Sequence, residues 1–71
     1  MLSMSHLYRL TSQILGEPAG AWIARERKPD EDLVRPWYKI ARNLFEATNG
    51  EIRVSGSTVN RWSARYGRGD L

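Results

Sequence analysis

The sequence predicts an all-α protein, a small bundle of about four helices, and three observations lead there. Apolar side chains recur at helical spacing in two stretches: Met4, Leu7, Leu10 and Ile14 in the first, and Trp37, Ile40, Ala41, Leu44 and Thr48 in the second. Residues that start and stop helices stand at the ends of those stretches: Gly16, Pro18, Pro36, Asn49-Gly50 and Ser55. With 71 residues the chain is one domain at most. The expected organisation is a single helical domain over residues 1–66 and a flexible tail over 67–71.

The first helix is expected from Met1 to Leu15, with Tyr8 and Leu15 flanking its apolar stripe. Ser3 or Ser5 is the candidate cap and Gly16 the stop. The stripe reads as a helix closing the core, with a dimerisation face as the other reading. A second helix is expected from about Pro18 to Lys28, with Trp22 and Ile23 inward. Arg25, Arg27 and Lys28 in its last turns interact favourably with the helix dipole, which gives them a structural explanation, with a phosphate-contacting role as the other reading. Pro29 breaks that helix, and the connector Pro29–Arg35 follows. Asp30 there can cap a turn, and Leu33 and Val34 are expected to tuck under the core. Its acidic residues, Asp30, Glu31 and Asp32, have no companion ligands and read as a solvated acidic loop.

The third helix is expected to place Pro36 in its first helical position, where the missing N–H costs nothing, and to end at Asn49-Gly50. Both of those residues tolerate the left-handed conformation. In the connection, Glu51-Ile52-Arg53-Val54 alternates polar and apolar, so Ile52 and Val54 are expected to pin it while Arg53 points out. The fourth helix starts at Ser55, a hydroxyl cap, and buries Val59, Trp62 and Tyr66. Its other face carries Ser57, Thr58, Asn60, Arg61, Ala64 and Arg65.

Charge is unevenly distributed along the chain. Residues 1–34 hold four cations against five carboxylates, a net −1, whereas residues 35–71 hold seven against three, a net +4. Absence of cysteine excludes disulfides and thiolate metal sites. His6, the only histidine, lacks a second ligand beside it and reads as a surface or packing residue. No cofactor is implied. There is no Ser-His-Asp or Cys-His set and no Gly-rich phosphate loop, so no catalytic residues are assigned and an enzyme is not expected. No apolar run approaches membrane-spanning length, and a cytoplasmic protein is the expectation.

The functional expectation comes from the fourth helix. Arg bonds guanine bidentately, Asn does the same to adenine, and Ser or Thr reaches bases or phosphates. A helix N-terminus carrying Gly56 can approach a phosphate closely through its N–H groups. The basic half of the chain is the half with this face, and neutralising phosphates is the main sequence-independent term in DNA binding. A solvated polar face on an ordinary helical hairpin is the plainer reading of the same residues.

At this point the residues carry a resemblance. Trp37-Tyr38-Lys39-Ile40-Ala41-Arg42-Asn43-Leu44, a short loop, and then Val54-Ser55-Gly56-Ser57-Thr58-Val59-Asn60-Arg61-Trp62 resemble small helix-turn-helix proteins of actinobacterial phages and prophages. The likeness spans roughly residues 22–66, with Trp22-Ile23-Ala24 and the Arg25–Lys28 run matching the preceding helix. Gly56-Ser57 departs from that group, which often carries an acidic residue there. The resemblance implies a helix-turn-helix at about residues 36–66 and a sequence-specific regulator of transcription. It further implies Ser57, Thr58, Asn60 and Arg61 as base-reading positions on double-stranded DNA. Lys39, Arg42, Arg53, Ser55 and Arg65 are the expected phosphate contacts. One copy offers few base contacts, so tight binding calls for a homodimer. The other readings are a phage-type module that binds a host protein and a DNA-architectural excision factor. For the former the discriminating feature is an exposed apolar patch of Trp or Leu side chains.

Overall fold

The computed structural model describes residues 4–71, and they form four helices, α1 (Met4–Leu15), α2 (Ala19–Arg27), α3 (Trp37–Ala47) and α4 (Gly56–Gly67). The candidate cap Ser3 lies outside the described residues, and Ser5 sits within α1, exposed, so it is not the residue that starts the helix. The inward face of α1 keeps three residues of the expected stripe, Met4, Leu7 and Ile14, partly buried against the core, and is rotated so that it centres on other positions. Tyr8 and Thr11 are its buried residues, while Leu10 is exposed. Two hydroxyls explain the rotation. Thr11 donates to the carbonyl of Leu7 at 2.7 Å, which lets its polar atom go inside. The phenol of Tyr8 meets a need of the next helix.

That need arises because α2 begins after Pro18, which has no side-chain acceptor to offer its first N–H groups. Helix α1 supplies them instead. Ser12 Oγ accepts the N–H of Ala19 and Tyr8 Oη accepts that of Gly20, both at 2.9 Å. Ala19, Gly20 and Ile23 are the buried residues of α2, and Trp22, expected inward, is half-buried. Gly20 has no room for a side chain: a Cβ there would lie 2.1 Å from Cγ of Tyr66. The start of α2 is therefore pressed against the end of α4.

The connector after α2 does not tuck under the core. Leu33 and Val34, expected to be covered, are among the large apolar residues left exposed. Arg27 and Arg35 tie off the base of this excursion. The N–H of Arg35 donates to the carbonyl of Arg27 at 2.8 Å, and Arg27 Nη1 donates to the carbonyl of Arg35 at 2.6 Å. Arg35 Nη1 also donates to the Glu26 carbonyl at 3.0 Å, and Glu26 Oε1 accepts from Asn43 of α3 at 3.0 Å. The guanidinium of Arg27 lies 4.0 Å over the ring of Trp37, a cation–π contact. With its base closed, residues 28–34 form a turn outside the core, and Asp30 Oδ1 accepts the N–H of Asp32 at 2.8 Å as the expected turn cap.

Pro36 is the residue before α3 rather than its first helical position. Ile40, Ala41 and Leu44 are buried, as their spacing requires, and Thr48 is buried at the helix end. Thr48 Oγ1 donates to the carbonyl of Leu44 at 2.8 Å and accepts the N–H of Ile52 at 3.1 Å, so the connection is fastened to α3. Asn49 and Gly50 both have positive φ, 55° and 80°. Gly50 N–H bonds the Phe45 carbonyl at 2.7 Å and Asn49 N–H that of Glu46 at 3.1 Å, which is the Schellman arrangement. Ile52 is buried, Val54 half-buried and Arg53 exposed, as their alternation predicts.

Helix α4 is capped by Ser55, whose Oγ accepts the N–H of Thr58 at 3.2 Å. It packs on α2 and α3 through Val59 and Trp62, with Tyr66 half-buried. Trp62 meets Tyr8 edge-to-face, ring centroids 5.4 Å apart. Trp62 Nε1 is buried and has no hydrogen-bond partner among the described residues. Ile23, Ile40, Leu44, Ile52 and Val59 complete the core. Burying each stabilises the fold by about 1.5–3 kcal/mol. The stretch 67–71, expected as a flexible tail, is folded back at its root. Gly67 belongs to α4, Gly69 has φ 79°, and Asp70 N–H bonds the Arg65 carbonyl at 2.9 Å while Gly69 N–H bonds that of Tyr66 at 3.0 Å. Leu71 packs, half-buried, on the core.

Candidate nucleic-acid interface

Burying Val59 and Trp62 fixes which way the rest of α4 faces. On a 3.6-residue repeat, Ser57, Arg61, Ala64 and Arg68 fall on the opposite line, with Asn60 beside it. All five are exposed. The side chains of Ser57, Asn60 and Arg61 make no hydrogen bond or ion pair among the described residues, and all three are exposed. Arg68, by contrast, is paired with Asp70 at 3.1 Å.

Thr58 departs from the expectation. It is half-buried, and its hydroxyl lies 3.3 Å from Ser55 Oγ, inside the helix cap. Of the four expected base-reading residues, the structure brings Ser57, Asn60 and Arg61 onto one open face and leaves Thr58 at its edge. Ser55 is occupied in the same cap.

The expected phosphate contacts divide into three places. Arg42, Arg53 and Ser55 line one shallow groove of about 360 Å³, between the outer side of α3 and the connection leading into α4. Tyr38 and Phe45 line it too. Arg53 is steadied there by the Phe45 ring, 5.4 Å below its guanidinium. Arg42 has a loose partner in Glu46 at 3.9 Å, an exposed i,i+4 pair of little energetic weight. Lys39 is exposed on α3 but does not line this groove. Arg65 is half-buried and lies in a different depression, between α1 and the end of α4.

Gly56 has a structural task that the sequence does not disclose. A Cβ there would lie 2.9 Å from the backbone nitrogen of Tyr38 and 3.1 Å from the carbonyl carbon of Trp37. The glycine thus lets the first turn of α4 lie against the first turn of α3, which sets the depth of the groove. Tyr38, 71 % exposed at the groove wall, is the residue sequence reasoning passed over. Its signal was present: Tyr38, Arg42 and Phe45 share the i, i+4, i+7 line off the buried face of α3.

Arg25 is engaged with Glu17 through two hydrogen bonds, one of them 2.6 Å. That bonding holds the Glu17 carboxyl below its ordinary pKa and raises Arg25. Among the described residues no group of three His, Cys, Asp or Glu side chains is placed to hold a metal ion. No described helix is long and apolar enough to cross a membrane. Comparison with known proteins leaves the surface to be judged on its own geometry: no family model, curated protein or solved structure matches the chain.

Proposed function

We propose that this protein binds double-stranded DNA as a sequence-specific regulator, with α3, the connection and α4 acting as a helix-turn-helix and α4 entering the major groove. One observation carries the reading: Ser57, Asn60 and Arg61 stand exposed on one helix face with no partner among the described residues, in the half of the chain whose net charge is +4. Arg61 and Asn60 are the residues for base edges, on guanine and adenine respectively. Arg42 and Arg53, which share the groove beside the start of α4, hold the phosphates that flank it, and Lys39 extends that contact along α3. Thr58 orients the helix start rather than reading a base, and Ser55 caps it rather than holding a phosphate. Arg65 reaches the backbone only at the far end of α4.

A duplex titration at two salt concentrations, followed by selection of preferred sites from random sequence, tests the proposal. Binding that weakens steeply with salt and converges on a preferred sequence supports it. A protein that ignores duplex DNA in dilute buffer overturns it.

The rival reading as a protein-binding module asks for exposed Trp or Leu side chains in one apolar patch; of the indoles, Trp62 is 1 % exposed and Trp22 and Trp37 are half-buried. The large apolar residues that do stand out among the described residues are Leu10, Leu33, Val34 and Tyr38.

A further inference from the structure

Two surface features lie at opposite ends of the molecule. Gly20 against Tyr66 puts the start of α2 beside the end of α4. Arg27 over Trp37, and Gly56 against Trp37, put the end of α2 beside the starts of α3 and α4. The 28–34 excursion therefore belongs to one end. A cleft of about 510 Å³ between α1 and the last turn of α4 belongs to the other.

The excursion carries Leu33, 45 % exposed, and Val34, 54 % exposed, directly after Asp30, Glu31 and Asp32. None of these three carboxylates has an ion-pair partner among the described residues. The cleft is the counterpart. Tyr8, Pro18, Tyr66 and Leu71 give it apolar walls, and Arg9 and Arg65 line it without an ion-pair partner among the described residues. Among the described residues the one acidic side chain lining it, Asp70, is paired with Arg68 at 3.1 Å.

We infer that the chain self-associates head to tail: Leu33 and Val34 of one copy enter the α1–α4 cleft of a second copy, and Asp30, Glu31 and Asp32 face Arg9 and Arg65. Charge complementarity selects a second copy as the occupant, because a negative apolar knob and a positively lined apolar cleft occur on the same molecule. The distance between the two ends prevents the knob from reaching its own cleft. The excursion is also held in shape before contact, by the Arg27–Arg35 hydrogen bonds and the Asp30 turn. That lowers the entropy cost of association. The contact uses a different surface on each partner, so it propagates instead of closing at a symmetric dimer. A contact of this size falls below about 1,200 Å² of buried surface and belongs to the weak, concentration-dependent class. The inference does not rest on DNA binding, and its test contains no DNA.

The test is sedimentation of the purified full chain over roughly 10 µM to 1 mM, the range suited to weak contacts. The expected result is an average mass that climbs with concentration past that of a dimer. Leu33→Ser with Val34→Ser removes the knob and keeps the cleft; Arg9→Glu with Arg65→Glu reverses the cleft and keeps the knob. Each variant alone should stay monomeric, and an equal mixture of the two should form a one-to-one dimer and stop there, since only one productive contact remains. Circular dichroism checks that each is folded. Because Arg65 is half-buried, Arg9→Glu alone, at an exposed position, stands in if the double change unfolds the chain. A wild-type protein monomeric throughout, growth that halts at a dimer, or a mixture that stays monomeric would each overturn the inference.

Discussion

The phenol oxygen of Tyr8 accepts the backbone N–H of Gly20 at 2.9 Å, so a side chain of α1 closes the open start of α2. The same Tyr8 ring packs edge-to-face on Trp62 of α4. One residue thereby joins three helices, by a hydrogen bond on one side and an aromatic contact on the other. Tyr8→Phe keeps the ring and removes only the acceptor, leaving a buried donor unpaired. The expected loss is about 1–3 kcal/mol of unfolding free energy, read by urea titration. A change within error would mean that water caps Gly20 equally well.

Two glycines in helical backbone should respond oppositely to alanine. At Gly20 the added methyl would meet Tyr66 at 2.1 Å, and Gly20→Ala is expected to destabilise by about 1–3 kcal/mol through overpacking. At Gly67 nothing lies within 4 Å of the new Cβ, so Gly67→Ala is expected to stabilise by roughly 0.5–1 kcal/mol through helix propensity. Thermal unfolding of the two variants side by side decides between this account and one in which both glycines are merely tolerated.

Acid should remove the Glu17–Arg25 interaction. The Arg25 hydrogen bonds hold the Glu17 carboxyl below its ordinary pKa. A depressed folded-state pKa means that the contribution is fully present above the ordinary carboxylate range and is lost as pH falls through the depressed value. Unfolding curves of the parent and Glu17→Gln should therefore differ at neutral pH and converge in strong acid. The difference should be small and shrink with salt, because the pair is solvent-exposed. A gap that widened on acidification would contradict the pairing.

On DNA, Arg61 and Lys39 should behave differently. Arg61→Ala is expected to cost roughly 1–3 kcal/mol on a preferred site and to relax selectivity at one position. Lys39→Ala should weaken all duplexes alike and flatten the salt dependence by about one unit. Equal losses on every sequence from Arg61→Ala would reject its base-reading role.

Much of the helical plan is visible in the chain itself. Gly16, Asn49 and Gly50 mark helix ends because left-handed backbone is costly for other residues, and all three have positive φ. The buried faces of α3 and α4 follow from spacing alone. What escapes is information held between elements. The burial of Gly20 depends on Tyr66, which is 46 positions later in the sequence numbering. Leu33 and Val34 look like core residues, and only the Arg27–Arg35 bonds explain why they stay outside. At the candidate interface, Ser57, Asn60 and Arg61 are outward by periodicity. Thr58 shares their composition but not their freedom, because its hydroxyl belongs to the Ser55 cap. Arg65 is separated from the other expected phosphate contacts because α4 carries it toward α1.

The reciprocal bonds between Arg27 and Arg35 have a consequence for how this chain tolerates change. They bring the path back to its point of departure before α3 begins, so the seven residues between Lys28 and Val34 bear no responsibility for where α3 lies. Lengthening, shortening or replacing that stretch costs little more than the entropy of a larger ring, which grows only logarithmically with its size. It is the natural splice point for a foreign epitope, and the part of the chain freest to diverge while the four helices stay as they are.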